Sequence, residues 1–180
     1  MTPHRATAAV AGTITPAETR LGDAVSREDA EVLLFEEAAL LDAERYADWL
    51  ALYAREATYW IPSWKSEREL VGDPSRELSY IFLTRDMIQD YTVRMTSGQA
   101  FAASPGLRTT RIIGNVQTHP ERPGVVRSKW LMHVFRKAGS EIFSGDCEHV
   151  VVREDGALRI VAKKIVLIND RFELGYMPLV

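Results

Sequence analysis

The first part of the chain carries hydrophobic residues at helical spacing, after a stretch that has no regular pattern. Residues 1–25 mix Ala, Thr, Pro and Gly without a sustained apolar period, which is typical of a poorly ordered arm. A capping pattern, Ser-x-x-Asp, then precedes apolar residues such as Leu34 and Leu41 that share one face. We therefore expect a helix across residues 31–54, broken near Arg45 into two.

The middle of the chain alternates short strand-like and helix-like segments. Residues 57–64 (ATYWIPSW) favour a strand, and Pro62 confines it to the edge of a sheet or to the end of the strand. A charged surface loop and a second short strand, LSYIF, are expected to follow. Thr84 opens a second predicted helix, and residues 97–108 are rich in the Gly, Ser and Pro of a loop. Met87, Tyr91 and Met95 are expected to share one face of this second helix.

The last seventy residues consist mainly of β-type sequence. The linkers KAGS and EDG are short enough for hairpins, so we expect an antiparallel meander. Helices followed by a sheet indicate an α+β domain over residues 26–180, with the helices packed on one face of a long, curved sheet that wraps around the first helix. The four predicted strands are TTRIIGNVQTH, VVRSKWLMHVFRK, EIFSGDCEHVVVRE and ALRIVAKKIVLIND.

Composition and charge exclude several classes of protein. The 180 residues carry a net charge of −3, which does not favour binding to nucleic acid. The single cysteine excludes an intramolecular disulfide, and no apolar run resembles a secretory signal or a membrane span, so a cytoplasmic location is expected.

The short motif Cys-x-His, formed by Cys147 and His149, raises the question of an iron–sulfur site. A Rieske cluster needs two Cys and two His ligands, and this chain has one cysteine. The chain alone therefore cannot build the cluster. Alternation along the strand places Cys147 and His149 on one face and the acids Asp146 and Glu148 on the other, which also argues against an iron site of two His and one carboxylate.

A histidine in the interior of the domain could still act as a general base. His133 lies on the neighbouring predicted strand and could approach His149 across the hairpin. One His with one carboxylate is sufficient for dehydratase or isomerase chemistry, so a stand-alone enzyme of this type is the alternative hypothesis.

Four aromatic residues concentrate around a proline in the middle of the chain. Such residues either pack in the core or form a contact between subunits, where Trp and Tyr are often important. We expect a subunit interface that contains Tyr59, Trp60, Trp64 and Tyr80.

Four sequence blocks follow one another along the chain in a recognisable order: EEAALLDAERYADWLALYAREATYWIPSW, DPSRELSYIF, TTRIIGNVQ and KKIVLINDRF. In this order they resemble the small (β) subunit of bacterial aromatic-ring-hydroxylating dioxygenases, and the resemblance covers roughly residues 28–172. The YWIPSW block and the KKIVLIND ending are more similar to the benzoate, toluate and anthranilate group than to the naphthalene or biphenyl group.

The resemblance implies a cone-shaped fold of the nuclear-transport-factor-two type and a structural role. In this family the Rieske [2Fe-2S] cluster and the mononuclear iron belong to the large (α) subunit, so no cofactor and no catalytic residue is expected in this chain. The implied partners are the α subunit and other copies of this chain, usually three of each. The implied reaction of the whole complex adds both atoms of O2 to an aromatic ring, which gives a cis-dihydrodiol.

Overall fold

Three helices and eight strands form the protein in a computed structural model that describes residues 24–97, 107–137, 139–173, 175 and 177–180. Most of the predicted arm (residues 1–25) and most of the predicted loop at 97–108 lie outside these residues. The helices are α1 (Arg27–Asp42), α2 (Tyr46–Ala51) and α3 (Arg85–Thr96). The strands are β1 (Tyr53–Pro62), β2 (Trp64–Ser66), β3 (Glu69–Leu70), β4 (Ser79–Thr84), β5 (Arg108–Thr118), β6 (Val125–Arg136), β7 (Gly139–Glu154) and β8 (Ala157–Leu167).

The main sheet has six strands in the order β4-β1-β8-β7-β6-β5. The last four strands form the predicted antiparallel meander. Strand β1 pairs with β8 in parallel and with β4 antiparallel, which the sequence pattern did not predict. Pro62 lies at the end of β1, as expected, where the pairing with β4 becomes irregular.

Local backbone features bend and connect the long strands. The register of β5 against β6 shifts between Gly114 and Gln117, and a bulge of this kind bends a strand. At the turn between β7 and β8, Asp155 and Gly156 both have positive φ values, of 50° and 82°, as a two-residue type I′ hairpin requires. A Cβ atom on Gly145 would lie 1.9 Å from the Val166 carbonyl oxygen, so β7 approaches β8 there more closely than any side chain allows.

The first helix lies against the concave face of the sheet, as predicted. The Ser26 hydroxyl accepts a hydrogen bond from the Asp29 N–H and caps α1. The inward face of the helix is apolar except at Glu37, and it contributes four leucines to the core: Leu33, Leu34, Leu40 and Leu41.

One predicted helix boundary is wrong. The first helical region breaks near Arg45 as expected, but it ends at Ala51 and not at residue 54, because Tyr53 already pairs with Ile160 of β8. In α3 the buried residues are Ile88, Thr92 and Met95. Of the residues expected to share one face of this helix, Met95 is therefore buried, Tyr91 is partly buried and Met87 is exposed.

Candidate functional site: a polar cluster inside the cone and an apolar outer face

Glu37 of α1 is at the centre of a polar cluster inside the cone. Its carboxylate is 3% exposed and is saturated with hydrogen bonds. Oxygen Oε1 accepts from the Tyr53 hydroxyl at 2.7 Å, the Lys163 ammonium at 2.8 Å and the Trp49 indole N–H at 3.3 Å. Oxygen Oε2 lies 3.1 Å from Nε2 of His149. Two helices (α1 and α2) and three strands of the sheet (β1, β7 and β8) are therefore joined through a single carboxylate.

Opposite charges determine the protonation of this cluster. Burial by itself raises the pKa of Glu37, but the charge of Lys163 and the hydrogen bond from His149 outweigh burial and hold the pKa well below its usual range. Burial lowers the pKa of His149, but interactions with Cys147 and then Glu37 outweigh it and raise the pKa to about 9. Glu37 and His149 therefore form a buried ion pair at neutral pH.

The segment 177–180 fills the space next to the cluster. The main-chain oxygen of Val180 accepts hydrogen bonds from Lys163 at 2.6 Å and from the Tyr59 hydroxyl at 3.1 Å. The guanidinium of Arg111 donates to the carbonyl oxygen of Leu179 and also pairs with Asp42 of α1. Met177, Leu179 and Val180 are buried. The cone is thus closed by part of its own chain.

Little room remains for a substrate beside the His149–Glu37 pair. The adjoining cavity has a volume of about 20 Å³, which is close to the space that one water molecule occupies. Both side chains already bond to neighbouring groups of the protein. A His–carboxylate pair exists here, but it holds parts of the protein together. The cavity beside it leaves no space for an organic substrate on which the histidine could act as a general base.

The two histidines singled out in the sequence lie on opposite faces of the sheet. His149 faces the interior and pairs with Val126 in the ladder, whereas His133 is exposed and pairs with Ile142. The expected approach of His133 to His149 is therefore wrong. His149 lies opposite Val126, and His133 follows Val126 on β6 by an odd number of positions, which turns its side chain to the other face of the sheet. Cys147 is buried, with Sγ 3.6 Å from Nδ1 of His149.

The acids next to His149 face outward, as the alternation predicts. Asp146 pairs with Lys129 and Glu148 with Arg127, on the outer face of the sheet. Within the described ranges, no group of three or more His, Cys, Asp or Glu side chains is placed to hold a metal ion.

The carboxylate partner of His149 was missed in the sequence. Glu37 stands in the middle of the leucines that define the inward face of α1, and an acidic residue on such a face is rarely buried without a partner. That position was the available signal: it could have indicated a buried, paired carboxylate, although it could not have named His149 as the partner.

The four aromatic residues expected at an interface fall into two groups. Tyr59 is completely buried, and Trp60 is buried with its indole N–H bonded to Ser79 and its ring covered by Lys164. Trp64 and Tyr80 are partly exposed and line a surface groove together with Ile168. Whether any of the four contacts another subunit stays a prediction.

The outer face of the meander carries a row of exposed apolar side chains, here called the outer strip. Ile112 is 63% exposed, Ile142 54%, Phe135 40% and Leu131 36%. Ile112 and Leu131 are partners in the ladder, and Ile142 lies opposite His133, so the four side chains occupy three neighbouring strands. An apolar row of this length on one face is typical of a surface that binds another protein.

Comparison with known proteins identifies the class to which this cone belongs. The sequence model described as "Ring hydroxylating beta subunit" matches residues 36–173, which include nearly all of the described fold. The chain belongs to this family, the β subunits of aromatic-ring-hydroxylating dioxygenases. It is thus a subunit of an oxygenase, and the Rieske cluster, the mononuclear iron and the active site belong to the partner α subunit.

Individual relatives place the chain more closely within the family. It is 31% identical over 156 residues to the benzoate 1,2-dioxygenase β subunit of Acinetobacter baylyi, covering 84% of this chain and 92% of the relative. It is 32% identical to the 2-halobenzoate 1,2-dioxygenase small subunit of Burkholderia cepacia, covering 79% and 88%. Among solved structures, the benzoate 1,2-dioxygenase β subunit of Burkholderia mallei has a TM-score of 0.67 at 25% identity, covering 81% and 92%.

Other structural neighbours confirm the cone fold. A protein from Novosphingobium aromaticivorans described as a scytalone dehydratase has a TM-score of 0.57 at 14% identity, covering 78% of this chain and 82% of that one, which shows the fold alone. No helix within the described ranges is long and apolar enough to cross a membrane.

Proposed function

We propose that this chain is the structural subunit of an oxygenase that dihydroxylates a carboxylated aromatic ring to a cis-diol. The support is the naming of its relatives, which are subunits of benzoate, 2-halobenzoate, toluate and anthranilate 1,2-dioxygenases at 30–32% identity. The α subunit holds the iron and performs the chemistry. The role of this chain is to hold the α subunits in a fixed arrangement in the cytoplasm.

The observation that carries the structural role is the contrast between a closed interior and an apolar exterior. Inside the cone, the His149–Glu37 pair has no space for an organic substrate. Outside, Ile112, Leu131 and their neighbours present apolar side chains to solvent. Burial of such side chains is the main favourable contribution to association between proteins.

We further propose that three copies of this chain associate and carry three α subunits. A closed ring of three copies is built by a head-to-tail contact, in which one surface of each copy meets a different surface of the next copy. The outer strip is suited to that contact, because it is rigid sheet and combines apolar residues with the basic side chain of Arg108, whose guanidinium lies 4.7 Å from the centre of the Phe135 ring.

The groove beside Trp64 and Tyr80 is the proposed contact with the α subunit. It is lined by Ile168 and by both signs of charge, including Lys65 and Asp170. Exposed aromatic rings next to charged groups are common at interface hot spots. In this proposal Tyr59 and Trp60 act indirectly, because they support the strand from which Trp64 extends.

Co-expression with a large subunit tests the proposed function. The full chain and an α subunit that contains a Rieske motif should purify as one complex of three α and three β chains, which sedimentation measures directly. That complex, supplied with reductase and NADH, should convert benzoate or a substituted benzoate to its cis-diol, and this chain alone should show no turnover. A chain that stays monomeric beside every such α subunit, or that dehydrates or isomerises a substrate alone, would contradict the proposal.

A further inference from the structure

Cys147 stands in line with a histidine and a carboxylate in the interior of the cone. Its Sγ lies 3.6 Å from Nδ1 of His149, and Nε2 of the same ring lies 3.1 Å from Oε2 of Glu37. All three side chains are buried. A thiol next to a histidine whose far nitrogen is held by a third group is the arrangement that activates a cysteine as a nucleophile. The structural role proposed for this chain makes no use of that arrangement.

The charges around the sulfur favour the ionised form of the thiol. Glu37 carries one negative charge and pairs with two positive groups, the Lys163 ammonium and the His149 imidazolium. The other cation of the cavity lining, Arg111, is balanced by Asp42. Among the described residues of this cluster one positive charge is therefore in excess, and a thiolate that accepts the imidazolium N–H neutralises it. The thiolate is the reactive form of cysteine.

A cavity beside the sulfur has room for one small oxidant. Its volume is about 20 Å³, close to the space of one water molecule, and its lining includes Cys147 and Ser128. These residues lie directly opposite one another in the pairing of β6 with β7, which places their Cβ atoms about 4.5–5.5 Å apart. Ser128 is 4% exposed, and its hydroxyl has no hydrogen-bond partner among the described residues. The hydroxyl can therefore bond to an oxygen atom that is held next to the sulfur.

The cavity extends toward the surface between α1 and β5. Ala38 of α1 and Ile113 of β5 both contribute to its lining, and both are partly exposed. Hydrogen peroxide is little larger than water and carries no charge, so it can follow a path that excludes larger reagents. The thiol is thus shielded from disulfide exchange, which needs a second thiol, and the chain has no other cysteine.

We propose that Cys147 is a peroxide-sensitive modification site, at which hydrogen peroxide converts the thiolate to a sulfenic acid. The sulfur attacks one peroxide oxygen, the O–O bond breaks, and the leaving hydroxide takes the Nδ1 proton of His149 and becomes water. The sulfur loses two electrons, which reduce the peroxide, and the products are Cys–SOH, a neutral imidazole and one water molecule. Glu37 is a positioning residue, because it holds the Nε2–H of the ring and leaves Nδ1 to give up its proton.

The oxidation changes a cluster that joins α1 to the sheet. Loss of the imidazolium charge weakens the attraction between His149 and Glu37, and the added oxygen fills the space next to Ser128. The stability of the cone therefore responds to peroxide, independently of the iron chemistry in the α subunit.

Peptide mapping identifies the product of the reaction. The full chain is treated with hydrogen peroxide and then unfolded in dimedone, which labels sulfenic acid and leaves methionine sulfoxide unlabelled. The label should appear on Cys147 in the wild-type chain and in Ser140→Ala, which changes an exposed serine on β7. Peroxide should lower the Tm of the wild-type chain, and it should leave the Tm of Cys147→Ser unchanged.

A bulky oxidant tests whether the reaction takes place inside the folded cone. tert-Butyl hydroperoxide is too large for the cavity, whereas both peroxides reach the thiol when the chain is unfolded in urea. The rate ratio of hydrogen peroxide to tert-butyl hydroperoxide should therefore be at least about 10-fold higher in the native chain than in the unfolded chain.

The pH dependence of the oxidation rate tests the role of His149. For an ordinary thiol the rate rises almost tenfold per pH unit below a pKa of about 8.5, because only the thiolate reacts. In the native chain the rate should change less than about twofold between pH 7 and 8, since the thiolate and the imidazolium exist as a pair. Glu37→Gln should lower the rate at pH 7 at least about 10-fold and restore the ordinary rise with pH. His133→Gln, on the outer face, should behave as wild type.

Three results would overturn the proposal, and all three are measured on the wild-type chain, so none depends on a variant that folds. One is a native chain in which Cys147 keeps its free thiol under peroxide. Another is an oxidation rate that rises with pH as it does for an ordinary thiol. The last is an equal ratio of the two peroxides in the native and unfolded chains, which would mean that Cys147 reacts only after the cone opens.

Discussion

The inner and outer faces of the same sheet differ in how their polar and apolar side chains are placed. Alternate residues of β7 show this directly: Cys147 and His149 face the buried interior, whereas Asp146 and Glu148 lie on the outer face. On the inner face the polar groups of the Glu37 cluster are bonded to one another or to the main chain. On the outer face, charged pairs stand beside apolar residues that no part of the described chain covers.

Within this one sheet, the inner face therefore contributes to the stability of the fold, and the outer face is available for assembly with other chains. A buried charge that loses its partner has no access to water, so changes on the inner face should affect folding. An exposed apolar residue contributes little to the fold of one chain and much to a contact with another. Substitutions on the two faces should therefore have distinct effects, and the four predictions below run from the largest effect to the smallest.

The largest effect is expected from Glu37→Ala. The change leaves Lys163 and His149 buried without their carboxylate, which should lower the free energy of unfolding by about 3–5 kcal/mol, as measured by urea denaturation. The matched control is Glu36→Ala, which removes an exposed carboxylate one position away and should change stability by less than about 0.5 kcal/mol. Equal effects of the two changes would contradict the assignment of Glu37 as the centre of the cluster.

The two histidines provide the second test, through pH. Because the pKa of His149 is about 9 in the folded state and about 6.5 when unfolded, the folded state binds this proton more tightly. Its contribution is complete below pH 6.5 and should be lost as pH rises to about 9, which amounts to about 3 kcal/mol.

Stability measured from pH 6 to 10 should follow this decline in the wild-type chain and in His133→Gln, whose exposed side chain lies on the outer face. In His149→Gln the decline over this range should be much smaller. A decline that depends on His133 instead would contradict the buried ion pair.

The third test concerns the outer strip. Leu131→Glu should weaken self-association by about 2 kcal/mol or more, roughly 30-fold in Kd, because a charge replaces an apolar contact. The stability of the isolated chain should change little, since Leu131 is 36% exposed. Sedimentation equilibrium measures the association. Val32→Glu, on the exposed side of α1, is the control and should leave association unchanged.

The smallest effect is expected from Cys147→Ser. The serine hydroxyl can bond to His149, which lies 3.6 Å from the present sulfur, so stability should fall by only about 1 kcal/mol. Turnover of the reconstituted oxygenase should stay within a few-fold of wild type, because the thiol packs and holds no iron. Cys147→Ala is the control for the loss of the polar atom, and a complete loss of turnover in either variant would indicate a functional role for the thiol.

Much of the fold could be predicted because its signals are local. The capping serine of α1, the Asp155-Gly156 turn and the alternation along β7 each depend on a few adjacent residues. The parallel pairing of β1 with β8 could not be predicted, since it joins residues about a hundred positions apart. The end of the first helical region was misplaced for the same reason: Tyr53 is drawn into the sheet by Ile160.

The interior site was predicted only in part. The shared face of Cys147 and His149 followed from alternation, but the carboxylate that pairs with His149 comes from α1, 112 positions away. Sequence spacing within a strand contains no information about that contact. The family resemblance predicted the class and the absence of a catalytic role, which residue spacing could not establish.

The parallel pairing of β1 with β8 also determines when the protein can fold during its synthesis. Trp60 pairs with Lys164, and Tyr59 bonds to Val180, so the cone cannot close until the chain as far as residue 180 has left the ribosome. A topology with such distant contacts folds slowly, because a long loop must be ordered before its contacts form. During that delay the four residues of the outer strip are exposed on an incomplete sheet, and newly made chains are then most prone to aggregate. Simultaneous synthesis of the partner subunit should therefore increase the yield of this chain as well as its assembly.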